Sequence, residues 1–309
     1  MRRAAALTAA VALACGALLA TSEARAGSAG DPLLGSAHAV VVDEATGEVL
    51  LDKDGATSAP IASLTKLMTA MVVLDAQQDP NERLRITEDD LDHLKHTRRG
   101  VRAGTVATRR SLLELALIAS DNHAASALAR SYPGGMPAFL AAVQHKINAL
   151  HLEQTSLVEP TGLSPDNRAS ALDMAKVTRA AAGYPAIAEI TSRARQKVTV
   201  GGRTQAVKNT NFLVGMPGWN ILLSKTGFTN EAGRCLSMRL QEAGRTVAVV
   251  LLGASAGRER ANDALSIRRW LAGLPPGVRG AVSLQAAAST PVNVPSLPMS
   301  QTTGIDEFE

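Results

Sequence analysis

Ser63 and Lys66 stand three residues apart in the string Ser63-Leu64-Thr65-Lys66. On a helix that spacing brings both side chains to one face, within reach of each other. A serine hydroxyl becomes a useful nucleophile only when a neighbouring base takes its proton. A lysine serves as that base if burial or nearby positive charge keeps its amine neutral part of the time. Ile61 and Ala62 on one side, and Leu67, Met68, Ala70 and Met71 on the other, predict a helix buried on most sides. Ser63 is expected at its N-terminus, where its own backbone N–H can help hold an oxyanion. Taken alone, the string also fits an ordinary helix start with a solvated lysine.

Two further strings change that reading. Ser120-Asp121-Asn122 lies between the apolar stretches 112–119 and 124–129, a pattern of helix, corner and helix. Ser120 or Asp121 could simply cap the second helix. Beside the first string, Ser120 becomes a proton shuttle between Lys66 and a leaving group, and Asn122 a donor to a substrate backbone and to Lys66. Lys225-Thr226-Gly227 ends the strand-like run Asn220-Ile221-Leu222-Leu223-Ser224. Gly227 has no Cβ and lets a substrate backbone come close. Lys225 and Thr226 would hold a carboxylate or carbonyl of a peptide laid along this strand, and the N–H of Phe228 would be the second oxyanion donor. Together the strings supply a nucleophile, a base, a polar bridge and a cationic clamp, enough for acyl transfer through a serine without a histidine or a metal.

This set of three strings is shared by penicillin-binding proteins and class A β-lactamases. The resemblance extends beyond the chemistry. SLTKLMTAMVVLDA (63–76), YPGG (132–135), VEPTGL (158–163) and KTGFTNEAGRCL (225–236) closely resemble D-alanyl-D-alanine endopeptidases of the penicillin-binding protein 7 type, within the low-molecular-mass serine DD-peptidases. The likeness covers roughly residues 36–272. It implies cleavage of the D-alanine–diaminopimelate cross-link between peptidoglycan stem peptides, and covalent acylation of Ser63 by β-lactam antibiotics.

The elements that must position these residues follow from periodicity. Stretches 37–42 and 48–53 flank Asp43-Glu44-Ala45-Thr46-Gly47, a hairpin pattern. Helices are predicted over 65–77, 112–119, 124–131 and 137–150, and from Ser170, with Asp173 as a capping acid, to about residue 182. Strands return at 196–200 and 204–208 around Gly201-Gly202-Arg203, a hairpin signal. Strands at 220–225, 236–240 and 245–252 complete the sheet, and a helix over 258–271 closes the chain. The expected fold is α+β: an antiparallel β-sheet flanked by helices, with an α-helical subdomain inserted between its halves, as in β-lactamases and transpeptidases. The site is expected in the cleft between them.

The ends of the chain read differently. Arg2 and Arg3, the apolar stretch 4–20 and Ala24-Arg25-Ala26 form a secretion signal over 1–26, so 27–274 is the expected catalytic domain and the location periplasmic. An uncleaved anchor is the alternative, but the apolar part is short and alanine-rich. Cys15 has a poor lipid-attachment context. Residues 275–309 are rich in Pro, Ser, Thr and Ala and are expected to be largely disordered. That tail is too short for the β-domain and amphipathic helix of many related carboxypeptidases, which limits expected membrane contact to a peripheral one.

Composition excludes some partners. Losing Arg2, Arg3, Arg25 and Glu23 with the signal trims the formal net charge of +4 by two. So mild an excess requires no nucleic acid, and scarce aromatics argue against a base-stacking platform. The basic run from His93 to Arg99, with Arg102, fits either anionic peptidoglycan or a solvated loop. With Cys15 gone, Cys235 has no disulfide partner and reads as a small buried residue. His93 and His96 lack a third ligand, so neither a metal nor another cofactor is expected. Two other reactions share the machinery. A DD-carboxypeptidase would act on uncross-linked stem peptides. A β-lactamase would need a water-activating group such as Glu159, which here precedes Pro160-Thr161-Gly162-Leu163, as in the peptidases. A catalytically dead wall-binding module is opposed by the intact Ser63, Lys66, Ser120, Asn122, Lys225 and Thr226.

Overall fold

The computed structural model describes residues 30–95 and 100–274. The expected signal segment, the expected tail and His96 lie outside the described residues.

The chain opens with the hairpin β1 (His38–Asp43) and β2 (Val49–Lys53). Its turn is set by Asp43, whose carboxylate accepts from the N–H of Ala45 at 2.9 Å, the local bond that makes Asp a turn former. After the two-residue strand β3 (Ala59–Pro60) and a 3₁₀ turn over Ala62–Leu64 comes helix α1 (Thr65–Asp75). Every residue of α1 from Thr65 to Val73 is buried, as its nearly unbroken apolar sequence requires.

Strands β4 (Arg83–Arg85) and β5 (Val106–Thr108) lead to helices α2 (Arg109–Ile118), α3 (Asn122–Arg130) and α4 (Gly135–Ala149). Strand β6 (Arg168–Ala169) pairs with β3, and helices α5 (Ala171–Ala182) and α6 (Pro185–Thr191) follow. Ser170 caps α5 by accepting from the N–H of Asp173 at 3.0 Å, as its sequence predicts. Strands β7 (Arg195–Val200), β8 (Arg203–Lys208), β9 (Asn220–Thr229), β10 (Gly233–Glu242) and β11 (Arg245–Ala254) precede the closing helix α7 (Gly257–Gly273).

The main sheet has the order β2-β1-β11-β10-β9 and is antiparallel throughout. Its first two strands come from the start of the chain and its last three from the end, with α1–α6 inserted between, so the α+β arrangement read from sequence is the one observed. Side chains alternate across a strand. On β11, Ala248, Val250 and Leu252 pack toward the helical block, while Val247, Val249 and Leu251 pack toward α7. Helix α7 answers with Ala264, Ile267 and Leu271, spaced for one face. Burial on both sides explains why β11 reads as a continuous apolar run.

Two expectations are corrected. The hairpin β7–β8 does turn at Gly201-Gly202, both with positive φ. However, it joins β4 and β5 in a separate four-stranded sheet, because its polar residues leave most positions uncovered. The strand expected to end at Lys225 runs on to Thr229, so Lys225-Thr226-Gly227 lies within β9 and pairs with Ser237, Leu236 and Cys235.

Candidate active site

The site forms where the 3₁₀ turn, the α2–α3 corner and strand β9 meet. Ser63 sits in that turn, just ahead of α1 rather than inside it. The turn is tight: Ala62 has φ +48, a left-handed conformation an alanine adopts only under constraint from its surroundings. Lys66, one turn on, is 1% exposed, and its Nζ donates to Ser63 Oγ at 2.9 Å, to Asn122 Oδ1 at 2.7 Å and to the carbonyl of Thr161 at 2.6 Å. Burial pushes Lys66 down to about 8, while the nearby charges of Glu159, Asp121 and Asp92 act in the opposite direction. An amine so placed can take a proton from the hydroxyl it touches.

The corner string divides its work. Asp121 is the cap of α3, accepting from Ala124 N at 2.9 Å, and its other oxygen accepts from Val101 N at 3.0 Å. Ser120, with φ +60, and Asn122 are thereby turned toward the site. Asn122 is an acceptor from Lys66, not a donor to it, which leaves its NH₂ group for a substrate. Ser120 also has a partner that the sequence does not indicate: its hydroxyl accepts from Lys225 Nζ at 2.8 Å. Lys225, on β9, is as buried as Lys66 and also donates to Thr226 O at 2.9 Å. Burial, then the charges of Lys66 and Arg260, hold Lys225 well below its usual range.

Gly227 has a packing role that the sequence does not indicate. A Cβ there would lie 2.9 Å from Ile61 O and 3.1 Å from Ser63 N. Its missing side chain therefore admits the Ser63 turn against β9, bringing the N–H of Ser63 beside the strand that carries Phe228. The Phe228 ring is 48% exposed, with the Arg234 guanidinium stacked 3.7 Å from its centre.

Several contributors were missed. Thr210 accepts from Thr226 Oγ1 at 2.7 Å, and Asn211 donates to Ser224 Oγ at 2.9 Å, bracing β9 from the preceding loop. Arg260 donates to Cys235 O at 3.1 Å and, with Arg234, adds positive charge beside the end of β9. An arginine more than thirty residues after the third string carries no local signal. For Glu159 the sequence suggests only a water-activating base. Cys235 is buried, its thiol pushed up to about 11, which fits an inert packing role. Lys95, from the basic run, is paired with Glu231 at 2.5 Å. A cavity of about 210 Å³ adjoins the site, lined by Asp90, Asn122, Ser126, Met136, Glu159 and Thr161 among others. Among the described residues no helix is long and apolar enough to cross a membrane.

Comparison with known proteins shows the family and the fold. The peptidase S11 family, described as D-alanyl-D-alanine carboxypeptidase, matches residues 25–256. A D-alanyl-D-alanine endopeptidase of Pseudomonas aeruginosa is 42% identical over 248 residues, covering 79% of this chain and 80% of that protein. One of Escherichia coli is 39% identical over 250 residues, covering 80% and 81%. The crystal structure of the Streptomyces K15 DD-transpeptidase superposes with a TM-score of 0.73 at 23% identity, over 79% of this chain and 99% of that one, and so shares the fold.

Proposed function

The chain belongs to the peptidase S11 family of serine D-alanyl-D-alanine peptidases, and from that premise we propose that it is an endopeptidase hydrolysing the D-alanine–diaminopimelate cross-links of peptidoglycan. The observation that carries the chemistry is the buried Lys66 amine, 2.9 Å from Ser63 Oγ and poised near neutrality. Lys66 takes the proton of Ser63 as its oxygen attacks the D-alanine carbonyl. The N–H groups of Ser63 and Phe228 hold the oxyanion, a contribution of about 3–4 kcal/mol for a single donor. The proton returns from Lys66 to the departing amine through the Ser120 hydroxyl, whose oxygen Lys225 holds at 2.8 Å as it gives its own proton up. Water then hydrolyses the acyl-enzyme. Lys225, Thr226 and Asn122 position the chain, with Arg234 and Arg260 reinforcing the positive end of β9. The fit of Gly227 against the Ser63 turn keeps the two oxyanion donors together.

The endopeptidase reading is supported by the two relatives of that name, each matched over about four fifths of its length. The family description favours a second reading, a carboxypeptidase acting on uncross-linked stem peptides. In both substrates the scissile amide nitrogen sits on a D-configured carbon bearing a carboxylate, so the same clamp serves. Glu159 spends its oxygens on its own loop, which favours a peptidase over a β-lactamase. Penicillin would acylate Ser63 and remain bound. Such substrates lie outside the cytoplasm, which fits removal of 1–26 as a secretion signal and a periplasmic location.

Purified protein would be given cross-linked muropeptide dimers and monomeric pentapeptides side by side. The proposal expects dimers to be split into monomers. Loss of terminal D-alanine from pentapeptides with dimers untouched would replace it with the carboxypeptidase reading.

A further inference from the structure

Outside the groups given a role in the reaction, one carboxylate organises its surroundings. Glu159 Oε2 accepts from the N–H of Thr161 at 2.7 Å and from its hydroxyl at 2.6 Å. Oε1 accepts from Gly162 N at 2.6 Å, Asn167 Nδ2 at 2.9 Å and, more loosely, Ser164 N at 3.4 Å. Asn167, fully buried, closes the loop by also donating to the carbonyl of Glu159 at 2.8 Å and accepting from Val158 N at 2.8 Å. The loop so gathered touches the Ser63 turn and α1 at five places, one of them the bond from Asn167 Nδ2 to Thr65 Oγ1 at 3.2 Å. The Thr161 carbonyl accepts from Lys66 Nζ, the Pro160 carbonyl from Thr69 Oγ1 at 2.7 Å, and the Asn167 carbonyl from Ile61 N at 3.0 Å. Gly162, with φ +85, lies so close that a Cβ would stand 1.9 Å from Ala62 O.

We infer that Glu159 is a positioning residue of the acyl-transfer site. It gathers the N–H groups of residues 161–164 so that the Thr161 carbonyl faces Lys66, and its charge supports the ammonium that Lys66 becomes when it takes the Ser63 proton. The chemistry rests on the reading of Ser63 as the acylated residue; the geometry does not. Three carboxylates act on Lys66 from the elements around it: Glu159 from this loop, Asp121 from the α3 cap and Asp92 from the segment before α2; from β9 it faces Lys225, whose own ammonium its charge disfavours. Of the three carboxylates, Glu159 has the largest influence. Glu159 also lines the cavity beside Asn122, where water could reach it, so its role must be told apart from activation of water for deacylation.

The test compares wild type, Glu159→Gln and Glu159→Asp, each first shown to melt cooperatively. Acylation by benzylpenicillin is followed against pH, adduct decay is followed separately, and Lys66 is titrated by NMR of ¹³Cε-labelled lysine, assigned with Lys66→Arg. Gln offers an NH₂ group where the loop needs an acceptor. Its plateau acylation rate should therefore fall about ten- to a hundredfold, the scale of a small misplacement, and both the acid limb and the Lys66 titration should move to lower pH. Asp keeps the charge but is a methylene shorter, so the plateau should fall while the limb stays. An unmoved Lys66 titration in Glu159→Gln overturns the inference, even if rates drop. Normal acylation with slowed adduct decay overturns it in favour of water activation. Should Glu159→Gln not fold, wild-type acylation in Glu159→Asp overturns it. If the wild type is never acylated, the proposed function fails while the Lys66 titration still decides this one.

Discussion

At the scale of single residues, the account turns on a lysine acting as a base. Lys66 is held near 8 by burial, so below that pH it carries a proton and cannot accept another. At pH 7 about a tenth of it is neutral, since each pH unit below the pKa reduces the free base about tenfold. Acylation by penicillin should therefore rise with pH through about 8 and then level off; a rate flat from pH 6 to 9 would contradict Lys66 as the base. The repulsion between Lys66 and Lys225 means that the limbs of such a profile belong partly to the pair. Lys66→Arg, which stays protonated throughout, should lose acylation at every pH, as measured by adduct formation. The identities of these residues were legible in the sequence because S-x-x-K, S-D-N and K-T-G each carry a chemical reason for their spacing. Their bonding was not. Which lysine Ser120 contacts, and whether Asn122 donates to or accepts from Lys66, depends on how the α2–α3 corner meets β9.

At the scale of elements, the site is a fit between backbones. The Ser63 turn is clasped by β9 at Gly227 and by the 157–167 loop at Gly162. Gly162→Ala adds both left-handed strain and a clash with Ala62 O, so it should destabilise the fold by several kcal/mol, since strain alone contributes about 1–3 kcal/mol. A thermal melt within a degree or two of wild type would show that the loop does not press on the turn. Asp121→Ala removes the α3 cap and should cost about 1 kcal/mol, seen as a fall of about 2–4 °C in Tm. It should also slow acylation, because the cap aims Ser120 and Asn122; unchanged acylation would confine Asp121 to stability. Helices were the most legible elements, since apolar periodicity and caps such as Ser170 mark them. The two-residue strands β3 and β6, the short strands β4 and β5, and α6 were missed, because such brief pairings carry no periodic signal. The sheet partner of β7–β8 was also unreadable, because pairing between distant strands is decided by tertiary packing.

At the scale of the whole molecule, the inserted helices and the sheet meet along the line from Ser63 to Lys225, and β9 is the outer strand of the main sheet on that side. The insertion was legible from strands at both ends of the chain with helices between. A ligand acylating Ser63 and lying along β9 should slow amide exchange there while β2, at the opposite edge, is unaffected. Hydrogen-exchange mass spectrometry with and without penicillin checks this, and protection confined to other strands would misplace the ligand. The central claim, that Ser63 is a nucleophile served by Lys66, is tested most directly by intact mass spectrometry after brief exposure to benzylpenicillin. The account predicts a lasting one-to-one adduct that peptide mapping places on Ser63 and that Ser63→Ala abolishes. No adduct, or one that survives Ser63→Ala, would contradict it.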